Sequence, residues 1–181
     1  MTDAALMVIK AVRADIVRMR QIEQACCLRN YVNAQIVINK RLLVEFLEGR
    51  GRINFMAQAL ALNNDHVCSL LVRRDDVVIG YAIAKRSDQE GRIGHIYIDS
   101  DAAGQGAGSK LLSVLLEWIG GVRVVLEVVS FSDRAINFYK KFGFGEDGDI
   151  DKAWTVVLSN GVVLPEIRMV RPARSIAVRE Q

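Results

Sequence analysis

Three glycines spaced two residues apart form the most distinctive chemical feature of this 181-residue sequence. Gly104, Gly106 and Gly108 follow a polar turn, and a run with helical periodicity begins directly after them. Glycine has no Cβ atom, so such a loop lets the backbone approach a ligand closely. The first amides of a helix have no partner within the helix, and the helix dipole is positive at that end. The sequence therefore predicts an anion-binding loop, suited to a phosphate or a diphosphate.

Two common phosphate-binding motifs do not fit this loop. A P-loop has lysine directly after its last glycine, whereas here Ser109 separates Gly108 from Lys110. A dinucleotide-binding loop has glycine or alanine at the position of Ser109, and it follows a different order of strands. The loop by itself leaves the identity of its anion open.

Composition indicates a folded protein with a mild positive charge. Apolar residues make up 51%, and the length suits one domain over residues 1–181. The formal charge is +3, part of it in a basic tail over residues 172–181, which does not by itself imply a nucleic-acid partner. Three cysteines without CxxC spacing and two histidines predict no disulfide framework and no metal site. Since no apolar run approaches the ~20 residues that span a bilayer, we expect a cytoplasmic protein without a membrane partner.

Hydrophobic periodicity predicts a mixed α/β order of elements. The predicted helices are residues 14–28, a segment around Leu42–Leu47, residues 55–62, a segment after the glycine loop, and a segment that ends at Gly143. The predicted strands are residues 7–12, 66–73, 77–86, 92–98, 122–129, 154–158 and 162–170. Three of these strands form an antiparallel meander directly before the loop, and an Asn-Gly turn joins the last two. This order favours a mixed sheet with helices on its faces.

Two segments at a characteristic distance resemble a known family. The stretch Ile96–Leu112, which contains the glycine loop, resembles motif A of the GCN5-related N-acetyltransferases. The stretch Asn137–Phe144, with the pattern Phe-Tyr-x-Lys-x-Gly-Phe, resembles their motif B helix. The resemblance covers residues 66–145 best, which would form the cofactor-binding core. It implies an α/β fold with a mixed, mostly antiparallel central sheet that has splayed parallel strands and flanking helices.

The resemblance implies acetyl-CoA as the cosubstrate, bound where the parallel strands splay apart. Backbone amides of Ile96, Tyr97 and Ile98 would hold the thioester and the pantetheine arm. The pyrophosphate would bind the loop and the helix N-terminus, with Lys110 nearby. These pyrophosphate-binding residues would be Gly104, Gln105, Gly106, Ala107, Gly108 and Ser109.

Two positions depart from the family pattern. Ala103 stands where glutamine or arginine usually opens the loop, so pyrophosphate binding would depend on backbone amides and Lys110. Ser132 stands where many members have an asparagine that contacts the cofactor and helps to start the next helix; serine can still cap a helix. These departures motivate an alternative interpretation, a CoA-binding regulatory module with little catalysis.

Tyr139 and Glu127 are the candidate catalytic residues that the resemblance implies. Tyr139 matches a tyrosine that protonates the departing CoA thiolate, which a phenol can do as a hydrogen-bond donor. Glu127 matches a position where some members carry the general base that takes a proton from the acceptor amine. The residues alone show a charge within an apolar strand, so a structural hydrogen-bond role stays open. His95 lies on the strand where other members place a base.

The sequence therefore predicts an acyl-CoA-dependent N-acyltransferase that transfers acetyl by direct attack of an amine. The acceptor would be a small molecule, a peptide or a protein N-terminus, and residues 28–62 and the terminal hairpin would select it. A second alternative is an acetyltransferase that acts on an RNA-linked or ribosomal-protein amine through the basic tail. The sequence also leaves a homodimer open.

Overall fold

A seven-stranded sheet and four helices make up most of the part of the chain that the structure describes. The structure is a computed structural model, and it describes residues 5–49, 51–52, 55–56, 63–148 and 156–174. The strands are β1 Met7–Lys10, β2 Val67–Arg74, β3 Val77–Arg86, β4 Glu90–Ile98, β5 Arg123–Val129, β6 Gly145–Glu146 and β7 Glu166–Arg171. The helices are α1 Ile16–Asn30, α2 Lys40–Glu48, α3 Ala107–Ile119 and α4 Asp133–Lys140.

The sheet is mixed and mostly antiparallel, as the sequence predicted. Its strand order is β1-β2-β3-β4-β5-β7-β6. Among the described strands, β4 and β5 form the one parallel pair, and every other neighbouring pair is antiparallel. Helix α3 supplies the crossover that a parallel pair needs.

Successive side chains of a strand point to opposite faces of the sheet, so apolar residues are buried on both faces. One face packs against α3, whose Leu111, Leu112 and Leu115 are fully buried. The other face packs against α1 through buried residues such as Met19 and Ile22. A third cluster covers the end of β5 with residues of α2 and of the segment before β7, namely Ile38, Leu43, Val129, Leu158 and Leu164.

The parallel pair opens halfway along its length. Strands β4 and β5 pair over residues 90–93 and 123–126, and β4 then continues along β3 as far as Ile98. A register shift places Ile83 opposite His95 and Ala84 opposite Ile93, so Gly94 is a bulge at the point of separation. A bulge bends its strand and increases the local twist. The ends of β4 and β5 therefore diverge and leave an opening in the sheet.

The terminal hairpin differs from its prediction. A bridge between Val157 and Val163 and the turn at Gly161 are present, but the regular strand begins only at Glu166. Pro165 has no amide to donate to a ladder, which divides the predicted strand 162–170 in two. The short strand β6 was not predicted. Most of the helix predicted over residues 55–62, residues 154–155 and the tail after 174 lie outside the described residues.

Candidate functional site

The glycine loop runs from the end of β4 to the N-terminus of α3. Gly104 and Gly106 both have φ of +84°, a left-handed conformation that glycine adopts without a steric penalty. Gly106 is the N-cap residue, and among the described residues no side chain caps α3. The first amides of α3 therefore remain available to an external anion.

The cation beside this loop is not the one that the sequence suggested. Lys110 donates a hydrogen bond to the carbonyl of Leu6, which directs its ammonium toward the N-terminal segment. Arg134, on the first turn of α4, instead reaches toward the loop. Its Nη2 atom lies 3.9 Å from the position that a Cβ atom would take on Gly104. Arg134 is therefore better placed than Lys110 to contact an anion on this loop.

Helix α3 begins in contact with both β4 and α4. A Cβ atom on Gly108 would lie 3.6 Å from Ile98 and 3.6 Å from the ring of Phe138. Ser132 is the N-cap residue of α4, as predicted, but its hydroxyl makes no capping hydrogen bond. The loop, the end of β4 and the start of α4 thus surround the same side of the opening.

Three tyrosines from different elements converge on the opening. Tyr97 extends from β4 toward α1, and its hydroxyl accepts from the Cys27 thiol, with an Sγ–Oη distance of 3.8 Å. Tyr31, the residue after α1, interacts with the Tyr97 hydroxyl and lies close enough to Tyr139 for the two phenols to influence each other electrostatically. Burial raises the pKa of Tyr139, so its hydroxyl is protonated at neutral pH. Tyr139 can therefore act as a proton donor.

Glu127 forms an ion pair across the parallel strands. Its Oε2 atom is 2.5 Å from Nη1 of Arg92 on β4, and both side chains are largely buried. Arg168 on β7 is its direct cross-strand partner. Glu127 thus lies on the same face of β5 as Val129, as a carboxylate with cationic neighbours.

Glu166 is a second carboxylate on this face, which sequence reasoning missed. It starts β7 opposite Val129, and the Val156 amide donates a hydrogen bond to it. Burial, and then repulsion by Glu127, raise its pKa from 4.5 to about 7. A carboxylate beside the apolar residues Ile167 and Met169 was the available signal in the sequence.

His95 lies under α1, and Cys26 belongs to the buried face of that helix. Burial, and then the charge of Arg20, lower the pKa of His95 to about 4, which leaves it neutral at pH 7. The Cys26 thiol donates to the Ile98 carbonyl at 3.0 Å, and burial raises its pKa to about 11. A pKa of about 4 makes the neutral imidazole of His95 a weak base, and the Cys26 thiol lacks the thiolate form that a nucleophile needs at pH 7.

The predicted residues fall into two connected groups. The first group surrounds the anion-binding end and consists of Ile98, the glycine loop and the start of α4. The second group lies at the opening and consists of Tyr97, Tyr139 and Glu127. Tyr31 links the two tyrosines of this group, and Glu166 links Tyr31 with Glu127. Within the described ranges, no helix is long and apolar enough to cross a membrane. The same residues contain no group of three or more His, Cys, Asp or Glu side chains placed to hold a metal ion.

Comparison with known proteins gives one family and many similar folds. A model described as the acetyltransferase (GNAT) family matches residues 37–144. The N-acetyltransferase PaiA of Thermoplasma acidophilum, solved in complex with coenzyme A, has a TM-score of 0.70 and 14% identity, covering 93% of this chain and 99% of that chain. The ribosomal-protein-S18-alanine N-acetyltransferase of Escherichia coli has a TM-score of 0.68 and 18% identity, covering 98% of this chain and 99% of that chain.

A curated relative is an uncharacterized protein of Mycobacterium leprae, 32% identical over 91 residues. That match covers 48% of this chain and 25% of the relative, so the chain matches about a quarter of that protein's length. The family model spans more than half of the chain, and the splayed sheet, the glycine loop and Tyr139 occur in the order that the motifs predicted. The chain belongs to the GNAT family of acetyltransferases.

Proposed function

We propose that this protein is an acetyl-CoA-dependent N-acetyltransferase in which an acceptor amine attacks the thioester directly. The observation that carries the proposal is the opening between β4 and β5, which has an uncapped helix N-terminus at one side and a protonated tyrosine at the other. One end suits a diphosphate, and the other suits a leaving group that needs a proton.

The residues at the anion-binding end fit the pyrophosphate of CoA. The amides of Ala107, Gly108 and Ser109 would donate to it, and the Arg134 guanidinium would add charge-assisted bonds that Ala103 cannot supply. Ile96, Tyr97 and Ile98 lie on the diverging part of β4, where their backbone would hold the pantetheine arm. The remaining predicted cofactor contacts lie at the same anion-binding end, and they are Gly104, Gln105, Gly106 and Ser132. When bound, acetyl-CoA supplies an activated acyl group.

Tyr139 would donate its proton to the departing thiolate. Its hydroxyl belongs to a cluster with Tyr31 and Tyr97 at the opening, and burial keeps it protonated. Glu127 faces the acceptor side, and we retain it as a residue that acts on the acceptor ammonium. Because burial keeps Cys26 as a thiol, direct attack by the amine is favoured over an acyl-cysteine route.

We propose a peptide or protein α-amine as the first acceptor class to test. The E. coli structure with a similar fold is named as an N-acetyltransferase of an alanine of ribosomal protein S18, which supports this choice. A small-molecule amine, and an amine linked to RNA, are the competing acceptors that the same assay covers.

The test measures thiol release from acetyl-CoA with peptides that begin with alanine, serine or methionine, with polyamines, and with aminoacyl-RNA. CoA should also raise the melting temperature of the protein, because a ligand that binds the folded state stabilises it. Tyr139→Phe should bind CoA normally and reduce kcat by about 100-fold or more. Full turnover by Tyr139→Phe would exclude the acid role.

The alternative of a regulatory module predicts a different result. Such a protein would show the CoA-dependent rise in melting temperature but no thiol release with any acceptor in the panel. Absence of both responses would contradict the assignment of CoA to this site.

A further inference from the structure

The register of β5 and β7 places two carboxylates on one face of the sheet. Glu127 is paired with Arg168, and Val129 is paired with Glu166. Directly paired residues of antiparallel strands project from the same face, and so do residues two apart on one strand. Glu127 and Glu166 therefore project together, and both lie beyond the last pair of β4 and β5, which is Ile93 with Leu126. They line the opening on the side of α1 and α2.

The two carboxylates have different partners among the described residues. Glu127 has the Arg92 guanidinium at 2.5 Å. Glu166 accepts from the backbone amide of Val156, and the charged group that acts on it most is Glu127 itself. Tyr31 faces Glu166 from the end of α1, and Arg168 lies two residues along its own strand. Glu127 has an ion-pair partner, whereas burial and a like charge oppose ionisation of Glu166.

Tyr31 connects this pair of carboxylates to the candidate acid. Its phenol interacts with the Tyr97 hydroxyl and lies within the electrostatic influence of both Tyr139 and Glu166. A proton acceptor on β7 and a proton donor on α4 thus both lie close to the same phenol. Acyl transfer to an ammonium-bearing acceptor uses such groups, because two protons must leave the nitrogen, the first of them before attack, and one must reach the sulfur.

We propose that Glu166 receives the proton of the acceptor ammonium, while Glu127, fixed by Arg92, attracts that ammonium into the opening. The inference rests on the proposed acetyltransferase function. The ammonium gives one proton to the Glu166 carboxylate, and the free amine forms a bond to the acetyl carbon of acetyl-CoA. The carbon–sulfur bond breaks, the nitrogen releases its second proton to solvent, and the thiolate takes the Tyr139 proton. Solvent then removes the proton from Glu166 and returns one to Tyr139.

When two neighbouring carboxylates have different environments, their pKa values differ, and the two commonly take different roles in acid–base catalysis. The pKa of about 7 for Glu166, caused by burial and then by Glu127, suits a base at neutral pH. Rates should therefore rise with pH through about 7. Removing the charge of Glu127 should shift that rise to lower pH, because the repulsion disappears while the burial remains.

The experiment compares wild type with Glu166→Gln, Glu127→Gln and Glu117→Gln, the last as a control at an exposed position of α3. The acceptors are the most active peptide of the panel and hydroxylamine, a nucleophile that is largely unprotonated at neutral pH and needs no base. Glu166→Gln should reduce peptide acetylation by about 100-fold or more. It should retain enzyme-dependent hydroxylamine acetylation and the CoA-induced rise in melting temperature, and Glu117→Gln should match wild type. Carbon-13 NMR titration of the glutamate carboxyls supplies a measurement that does not depend on turnover.

Three results would overturn the inference while the proposed function stands, and two of them come from Glu166 itself. One is a Glu166→Gln variant that acetylates the peptide at the wild-type rate with an unchanged pH profile. The other is a Glu166 carboxyl signal that titrates with the ordinary glutamates in wild type. If Glu127→Gln abolishes the pH-dependent rise instead of shifting it, Glu127 is the base. Failure of the proposed function is recognised separately, because wild type would then release no thiol with any acceptor.

Discussion

Glu166→Gln should change the pH dependence of stability in a direction that the structure fixes. The pKa of Glu166 is raised to about 7 in the folded protein from the ordinary value of 4.5, first by burial and then by Glu127. A group with a raised pKa contributes stability below its unfolded pKa, and that contribution is lost as pH rises through the folded pKa. Wild type should therefore lose stability between pH 4.5 and pH 7, and Glu166→Gln should not.

The expected size follows from the shift in pKa. A rise from 4.5 to about 7 corresponds to about 3 kcal/mol, since one pKa unit is about 1.4 kcal/mol. Glutamine resembles the protonated acid, so the variant should equal wild type near pH 4.5 and exceed it by about 3 kcal/mol near pH 8. For a protein of this size that difference is roughly 6–12 °C in Tm.

The assay is urea unfolding of wild type, Glu166→Gln and Glu117→Gln at several values of pH between 4.5 and 8.5. Other carboxylates whose pKa is raised by burial, such as Glu23, are common to all three proteins, and their contributions cancel in the differences. Glu117 is exposed, so Glu117→Gln should run parallel to wild type. Parallel curves for wild type and Glu166→Gln would show that Glu166 is ionised normally, and the reasoning about its environment would be refuted.

Three further predictions concern the loop and the ion pair. Arg134→Ala should weaken CoA binding about tenfold in calorimetry and reduce its salt dependence, whereas Lys110→Ala should change it less; the reverse ranking would contradict the assignment of the cation. Gly106→Ala should reduce the free energy of unfolding by about 1 kcal/mol, because φ is +84°, and an unchanged denaturation midpoint would argue against that conformation. Arg92→Gln should destabilise the fold by roughly 3 kcal/mol because it leaves Glu127 without its arginine, and Glu127→Gln in the same chain should restore part of the loss.

The sequence predicted those features that depend on local patterns. Periodicity located α1, α2 and the strands of the meander, and the glycine loop marked the start of α3. The motif match supplied the splayed parallel pair and directed attention to Tyr139. Each of these depends on residues within a few positions of one another, or on a fixed distance between two motifs.

The parts that the sequence did not predict depend on contacts between distant segments. The pairing of Glu166 with Val129 joins strands separated by a helix and a hairpin, and nothing local to either strand specifies that register. The same reason explains why Lys110 was expected at the anion and Arg134 was not. Lys110 is next to the loop in sequence but bonds to Leu6, and Arg134 reaches Gly104 only because α4 begins beside the loop.

Two carboxylates at one opening can resolve a conflict that a single carboxylate cannot. An acceptor arrives as an ammonium ion, which a fully ionised carboxylate attracts best, yet a base with a low pKa gives little driving force for removing the proton. Glu127, paired with Arg92, supplies a negative charge at the opening, and burial raises the pKa of Glu166. Proximity then strengthens both roles, because the charge on Glu127 that attracts the ammonium also raises the proton affinity of Glu166. The stability that the folded chain loses at neutral pH through Glu166 is, on this reasoning, a consequence of maintaining a base that is ready to react.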